Sequence, residues 1–238
     1  MGYTLAIDTS SYVLTLAISA EKKIVGEVMT NIKKNHSLRL MPAIDQLMKD
    51  VGISANQLER IVVAEGPGSY TGVRIAVTTA KSLAWSLNIP LVGVSSLELM
   101  VQTGRYFNGY TVPIVDARRG QVFTSLYKSE HNRMVEIHED RLRMLGEWLE
   151  QLKEVGGPIL FVGQDLDLHS EEIRVVLGDQ AVFAPHAMSL PRGGELAALG
   201  YEKEAVQSVH TFVPRYLRLA EAEAKWQSEQ QKVRESND

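Results

Sequence analysis

Three strand-like runs follow one another at the amino terminus, at residues 3–8, 12–19 and 23–31. Only Thr9-Ser10-Ser11 and Ala20-Glu21-Lys22 join them. No other feature restricts the fold of this chain so strongly. Connections this short cannot carry a crossover, so the three runs form an antiparallel meander. The period then changes. Leu40, Ile44, Leu47 and Val51 recur at helical spacing over residues 36–50, with Pro42 expected to kink that helix or delay its start. Ser54-Ala55-Asn56-Gln57 resembles a capping box. Residues 60–64 read as a buried strand, those after Tyr70 as a long helix, and residues 90–94 as another strand. Ser95-Ser96-Leu97-Glu98 then caps a further helix, which Gly104 ends.

The order β-β-β-α-β-α-β-α is a meander feeding right-handed crossovers. It matches the ribonuclease H-like unit that actin and hexokinase contain in duplicate. This chain repeats it too. Leu5-Ala6-Ile7-Asp8 has a counterpart in Pro113-Ile114-Val115-Asp116, each an apolar strand ending in aspartate and followed by a short turn and an alternating strand. Residues 121–127 and 133–139 supply two more strands. A helix near 146–153, a strand at 159–162, a short helix at 170–177, a strand at 181–183 and a helix over 189–207 complete the second half. The expected fold is α/β, with two tandem ribonuclease H-like lobes of the actin-like ATPase (ASKHA) type and mixed sheets flanked by helices. The lobes are expected at 1–105 and 106–218, with 219–238 a polar, flexible tail.

The 238 residues contain no cysteine, which excludes disulfides and thiolate metal sites and suits the cytoplasm. No apolar run approaches the length of a spanning helix, and no basic leader precedes the first strand, so neither membrane insertion nor secretion is expected. The net charge is −4 with scattered basic residues. A chain that gripped nucleic acid unaided would normally carry a basic patch, so any RNA is expected to be held mainly through a partner.

The segment EGPGSYTGVR at 65–74 invites a phosphate-binding reading because it is a glycine-rich turn between strand and helix. It lacks the lysine and hydroxyl of G-x-x-x-x-G-K-S/T, and its glycines are spaced G-x-G-x-x-x-G rather than G-x-G-x-x-G. As plain structure, Gly66 and Gly68 would supply positive-φ corners and Ser69 or Thr71 would cap the helix. Arg74 opposes the helix dipole there and calls for a partner, a carboxylate or an anion. Behind it, Val73, Ala76, Val77, Ala80 and Ala84 form a core stripe. Thr78, Thr79, Ser82, Ser86 and Trp85 leave a second face of small side chains around one large aromatic. Leu38, Met41 and Met48 likewise lie off the core stripe of the 36–50 helix. A broadly buried helix pair and a docking surface both fit this pattern.

Asp8 with Thr9 and Ser10, and Asp116 in the second half, stand where duplicated ATPases face nucleotide phosphates and magnesium. The second turn here is the bulky Ala117-Arg118-Arg119-Gly120, and an Asx-turn accounts for Asp8 without nucleotide hydrolysis. The six histidines are scattered without helical ligand spacing, and no G-x-S-x-G elbow is present. No catalytic, metal or cofactor-binding residue is assigned.

Together, LAIDTSS, EGPGSYTGVRIAVTTAKSLAWSLNIPLVGVSSLELM, PIVDARRGQVF and VPRYLR resemble the TsaB (YeaZ) family from about Thr4 to Arg218. The resemblance implies a non-catalytic subunit of the machinery that places threonylcarbamoyl on the adenosine 3′ of the anticodon, in tRNAs reading codons that begin with A. The catalytic paralogue, TsaD, has a block ending like GIPLVGVNHLEGH, whose two histidines bind its metal. Here those positions are Ser96 and Met100, neither a useful ligand beside phosphates. The resemblance also implies docking to TsaD through the helices at 36–50 and 71–87, association of TsaE with that pair, and homodimers of some members when TsaD is absent. tRNA would be reached indirectly. The expected partner surface comprises His36, Leu40, Ile44, Leu47, Tyr70 and Val73, with Arg74, Val77, Thr78, Ala80, Lys81 and Trp85. A charge at Val77 or Ala80 is expected to abolish docking. Asp8, Thr9, Ser10 and Asp116 would be vestigial nucleotide-site positions. A self-sufficient ATPase or kinase of the actin-like fold is the alternative.

Overall fold

The computed structural model describes residues 2–33 and 35–218. The first half builds the expected mixed sheet. Strands β1 (Tyr3–Asp8), β2 (Val13–Ala20) and β3 (Lys23–Asn31) are antiparallel, and β4 (Leu58–Ala64) and β5 (Leu91–Val94) join parallel, giving the order β3-β2-β1-β4-β5. Leu5, Ile7, Leu16, Ile61 and Val63 alternate to one face and meet helices α1 (His36–Val51) and α2 (Tyr70–Leu87) there. Helix α1 runs unbroken through Pro42. Its two ends are well satisfied: Asn35 Oδ1 accepts from the Ser37 N–H, and Gly52 closes the helix at φ 75°. The helix starts at His36, so Pro42 does not delay it as expected.

The second half repeats the plan. Strands β6 (Tyr110–Pro113) and β7 (Val115–Asp116) both pair antiparallel with β8 (Gln121–Glu130), forming one interrupted counterpart of β1. Strand β9 (Arg133–Met144) flanks β8, while β10 (Ile159–Val162) and β11 (Ala181–Phe183) follow parallel on the other side. Helices α4 (Leu145–Lys153) and α5 (Leu166–Leu177) cover one face around Trp148, Leu149, Phe161 and Ile173. Helix α5 thus begins four residues before the expected start. Two sheets of equivalent strand order, each with its pair of helices, make this the actin-like fold.

The remaining helix of each half lies on the opposite sheet. Helix α3 (Ser96–Val101) sends Leu97, Met100 and Val101 onto Phe123, Tyr127, Leu160 and Val162 of the second sheet. Helix α6 (Gly193–Glu202) lies instead on the first sheet, where Leu196 and Ala197 meet Ala6, Ala17, Val62 and Ala64. It is shorter than expected and does not complete the second half. Small residues on both sides permit this approach. A Cβ on Gly193 would stand 2.6 Å from the Leu16 carbonyl carbon, and one on Gly200 2.3 Å from a Val62 methyl.

Residues 203–218 then form an irregular strap along the first lobe, with Val206 N donating to Leu91 O at 2.8 Å and Arg215 N to Glu65 O at 2.7 Å. The strap ends on the second lobe, where Arg218 Nη1 donates to Ala117 O at 2.7 Å. The expected tail, 219–238, lies outside the described residues.

Candidate partner interface and interlobe cleft

The loop before α2 is built against the hairpin after β1. Ser69 N donates to Ser10 O at 2.7 Å, and Thr9 Oγ1 donates to Gly72 O at 2.8 Å. A Cβ on Gly68 would lie 2.3 Å from Ser10 O, and one on Gly72 2.1 Å from Thr9 O. Of the two glycines expected as positive-φ corners only Gly66 is one, at φ 100°. Gly68 and Gly72 are needed for close approach instead. Gly66 is held by Ser96, whose Oγ accepts from Gly66 N at 3.1 Å and whose N donates to Gly66 O at 3.0 Å. Ser69 Oγ caps α2 by accepting from Gly72 N at 3.3 Å. The N–H groups of Gly66, Ser69 and Gly72, which a phosphate cradle would turn toward its ligand, are thus engaged within the protein.

Six of the residues expected at the partner surface face inward. Leu40, Ile44, Leu47, Val73, Val77 and Ala80 are at most 3 % exposed and pack on the first sheet. Their helical periodicity marks the core stripe, so they support the surface from beneath. The outer face carries Thr78, Arg74, Tyr70 and Trp85 on α2, with Leu38 and Met41 on α1; Leu38 is 75 % and Trp85 65 % exposed. Among the described residues Arg74 forms no ion pair, though it lies near enough to Tyr216 to oppose the rise that burial gives that phenol's pKa. His36 Nε2 is 2.8 Å from Ser11 O, which ties α1 to the first hairpin. Lys81 donates to the carbonyls of His210 at 2.9 Å and Phe212 at 2.5 Å.

The strap adds ring contacts that sequence reasoning missed. His210 meets Trp85 edge-on at 5.6 Å, and Tyr216 stacks on Tyr70 at 4.6 Å. No periodicity announces these pairs; the VPRYLR block was the only trace of them.

The four vestigial positions separate into two levels. Ser10 and Asp116 line a cleft of about 760 Å³ between the lobes. Asp8 and Thr9 lie beneath it. Asp8 is fully buried, with Oδ1 accepting from Ser10 N at 2.7 Å and Oδ2 without a protein partner. Burial raises its pKa, opposed by the Ser10 hydrogen bond and the nearby His36. Asp116 Oδ1 is 3.2 Å from His169 Nε2, and Asp116 N donates to Asp165 Oδ2 at 3.1 Å. Behind the cleft, the buried Asp140 carboxylate accepts from Ser95 Oγ at 2.5 Å and from Arg215 Nη1 at 2.9 Å, joining both lobes to the strap.

Ser96 is buried and its hydroxyl serves the loop, while Met100 is buried among Tyr127, Leu160 and Val162. These positions do not fit the metal that the catalytic paralogue holds. Among the described residues no group of three or more histidine or acidic side chains could hold an ion, and no helix is long and apolar enough to cross a membrane.

Residues 15–226 match the family model described as "TsaD: tRNA N6-adenosine threonylcarbamoyltransferase". The chain is 53% identical over 222 residues to the tRNA threonylcarbamoyladenosine biosynthesis protein TsaB of Bacillus subtilis (strain 168), covering 93% of this chain and 96% of that protein. The chain belongs to the TsaB family. Its identity to the TsaB of Escherichia coli (strain K12) is 29% over 224 residues, covering 90% and 94% of the two chains. The solved structure of YeaZ from Pseudomonas aeruginosa superposes with a TM-score of 0.75 over 91% of this chain and all of that one, at 24% identity, so the fold is shared. The family model bears the name of the catalytic paralogue, and the TsaB relatives place this chain on the TsaB side of that pair.

Proposed function

We propose that this chain is the non-catalytic subunit of a cytoplasmic tRNA threonylcarbamoyladenosine transferase assembly. It docks to TsaD through the outer faces of α1 and α2, and TsaE joins that pair. The chemistry, transfer of threonylcarbamoyl from its adenylate to the adenosine 3′ of the anticodon, belongs to TsaD. This subunit orders its partner, and in its absence can use the same face to form a homodimer. Residues 1–105 and 106–218 act as two lobes, the first bearing the docking helices. The observation that carries the reading is the burial of Ser96 and Met100 in packing roles, in a chain whose TsaB relatives are named for this modification. The exposed Trp85 and Leu38 around small, uncharged side chains support the docking face.

The test is reconstitution. Alone the chain yields no modified tRNA; added to TsaD and TsaE it restores product and co-elutes with TsaD. Modification by this chain alone would overturn the reading. Trp85→Ala is expected to weaken the pair by about 2 kcal/mol, roughly 30-fold in Kd.

A further inference from the structure

The chain is acidic overall, at −4, yet the mouth of its interlobe cleft is basic. Lys33, Arg118, Arg119, Arg215 and Arg218 line it, against the carboxylates of Asp116 and Asp165. Asp116 N donates to Asp165 Oδ2 at 3.1 Å, and Lys33, Arg118 and Arg218 outnumber these two acids even with Arg215 set aside. Asp140 engages Arg215, whereas Arg218 donates to a neutral carbonyl. The cleft therefore presents net positive potential, which low-dielectric walls focus.

The tip of the β7–β8 hairpin sharpens this. Arg118 and Arg119 are exposed and both have positive φ, at 63° and 57°. Residues with a side chain lose stability in that conformation. The Gln121 N–H donates to Arg118 O at 3.1 Å, so the central pair of the turn is Arg119-Gly120, where Asn-Gly is favoured. Two arginines at such a turn are a structural cost that places two charges at the cleft mouth. Aromatic rings surround the same mouth. Tyr12, Tyr70 and Tyr216 all line the cleft and are each more than 40 % exposed, and Lys33 Nζ lies 4.9 Å from the Tyr12 ring centroid. Cations interleaved with exposed rings are what unpaired nucleic acid needs: charges to replace phosphate counterions, and flat faces on which bases stack.

We propose that the cleft mouth is a direct contact site for single-stranded RNA, with phosphates on Arg118, Arg119 and Lys33 and an unpaired base against Tyr12 or the Tyr70–Tyr216 pair. The choice of RNA over other polyanions rests on the function proposed above. It adds a contact made by this chain to the one made through TsaD. An acidic polypeptide would use the charges and leave the rings idle.

The experiment is fluorescence anisotropy of a labelled tRNA anticodon stem–loop RNA titrated with the full chain between about 50 and 200 mM salt. The double variant Arg118→Gly, Arg119→Asn gives both positive-φ positions residues that accept that conformation and makes the central pair Asn-Gly, so its melting temperature is expected to hold or rise. Its RNA affinity is expected to fall at least about fivefold, and its salt slope to shallow by about 1.4, the value for two phosphate contacts on a single strand. Tyr12→Leu is expected to weaken binding about threefold or more with the slope unchanged. The proposal is overturned if the parent chain shows no binding at about 200 µM. It is also overturned if the double variant binds as well as the parent, or if polyglutamate displaces the RNA as readily as unlabelled RNA does. Co-elution of the double variant with TsaD separates the two ideas. It is expected to persist, and a parent chain that fails to co-elute refutes the docking role whatever the RNA result.

Discussion

Gly72→Ala tests the account of the glycine-rich loop. Gly72 is in the first turn of α2 with ordinary helical φ, so helix propensity alone predicts a gain of about 1 kcal/mol for alanine. The structure predicts the opposite. The new Cβ would stand 2.1 Å from the backbone oxygen of Thr9, at least 1.3 Å short of the 3.4 Å at which ordinary contact begins. Neither side yields easily, because the Thr9 hydroxyl also bonds Gly72 O and Ser10 O bonds Ser69 N. Overpacking costs about 1–3 kcal/mol. Loss of the Thr9–Gly72 hydrogen bond adds about 1 kcal/mol, offsetting the helix gain. The net loss is about 1–3 kcal/mol, and an intermediate value of about 2 lowers the melting temperature of a chain this size by about 4–8 °C. Calorimetric or dichroism melting of parent and variant measures it. Gly146→Ala in α4 is the internal control. Its Cβ would approach only the Glu172 carboxylate, at 3.4 Å, so a gain of about 0.5–1 kcal/mol is expected. If Gly72→Ala stabilises the chain as Gly146→Ala does, close approach is not why Gly72 is there.

Other outcomes follow from the same geometry. Val77→Asp would bury an unpaired charge against the first sheet at a cost of about 4 kcal/mol or more, so loss of TsaD co-elution would come with loss of the first lobe's fold in hydrogen exchange. Trp85→Ala should lose the partner with the exchange pattern unchanged. Asp140→Ala strips the buried acceptor from Ser95 and Arg215; because Arg215 keeps some contact with water, about 2–4 kcal/mol is expected, read by urea unfolding. Asp8 has a carboxyl pKa raised by burial, so its ionisation costs stability, with the unfavourable contribution growing as pH rises through the folded value. Asp8→Asn keeps an acceptor for Ser10 N and removes that cost; it should melt above the parent at neutral pH, with the gap closing toward pH 4. A gap that widens on acidification would refute this.

The meander and the crossovers were legible because short connections and apolar periodicity are local facts. Which sheet receives a helix is not local. The pattern Gly193, Leu196, Ala197, Gly200 shows a thin helix face, and only the alanines of β1, β2 and β4 show where it belongs. Six residues expected at the partner surface face inward for a related reason. Leu40, Ile44, Leu47 and Val77 share the strongest periodicity on α1 and α2, and periodicity reports the side that the chain itself buries. The strap carried no periodic signal at all, although it supplies Tyr216 and His210 to the outer face.

Gly66, Gly68 and Gly72 were hardest to read, since their spacing excludes both phosphate motifs without saying what the glycines do instead. Their meaning lies with segments distant in sequence: Thr9 and Ser10 below the loop, Ser96 at the head of α3, and Arg215 on the strap. The loop is where these three segments meet, which ties the proposed docking helix to the first hairpin, to α3 and to the strap. A change at Gly72 must therefore disturb fold and docking together. Trp85 stands exposed at the far end of the same helix with the His210 ring edge-on to it, so there the proposed docking can be lost while the fold survives. Comparing those two positions in one preparation separates a loop that serves architecture from one that serves a ligand.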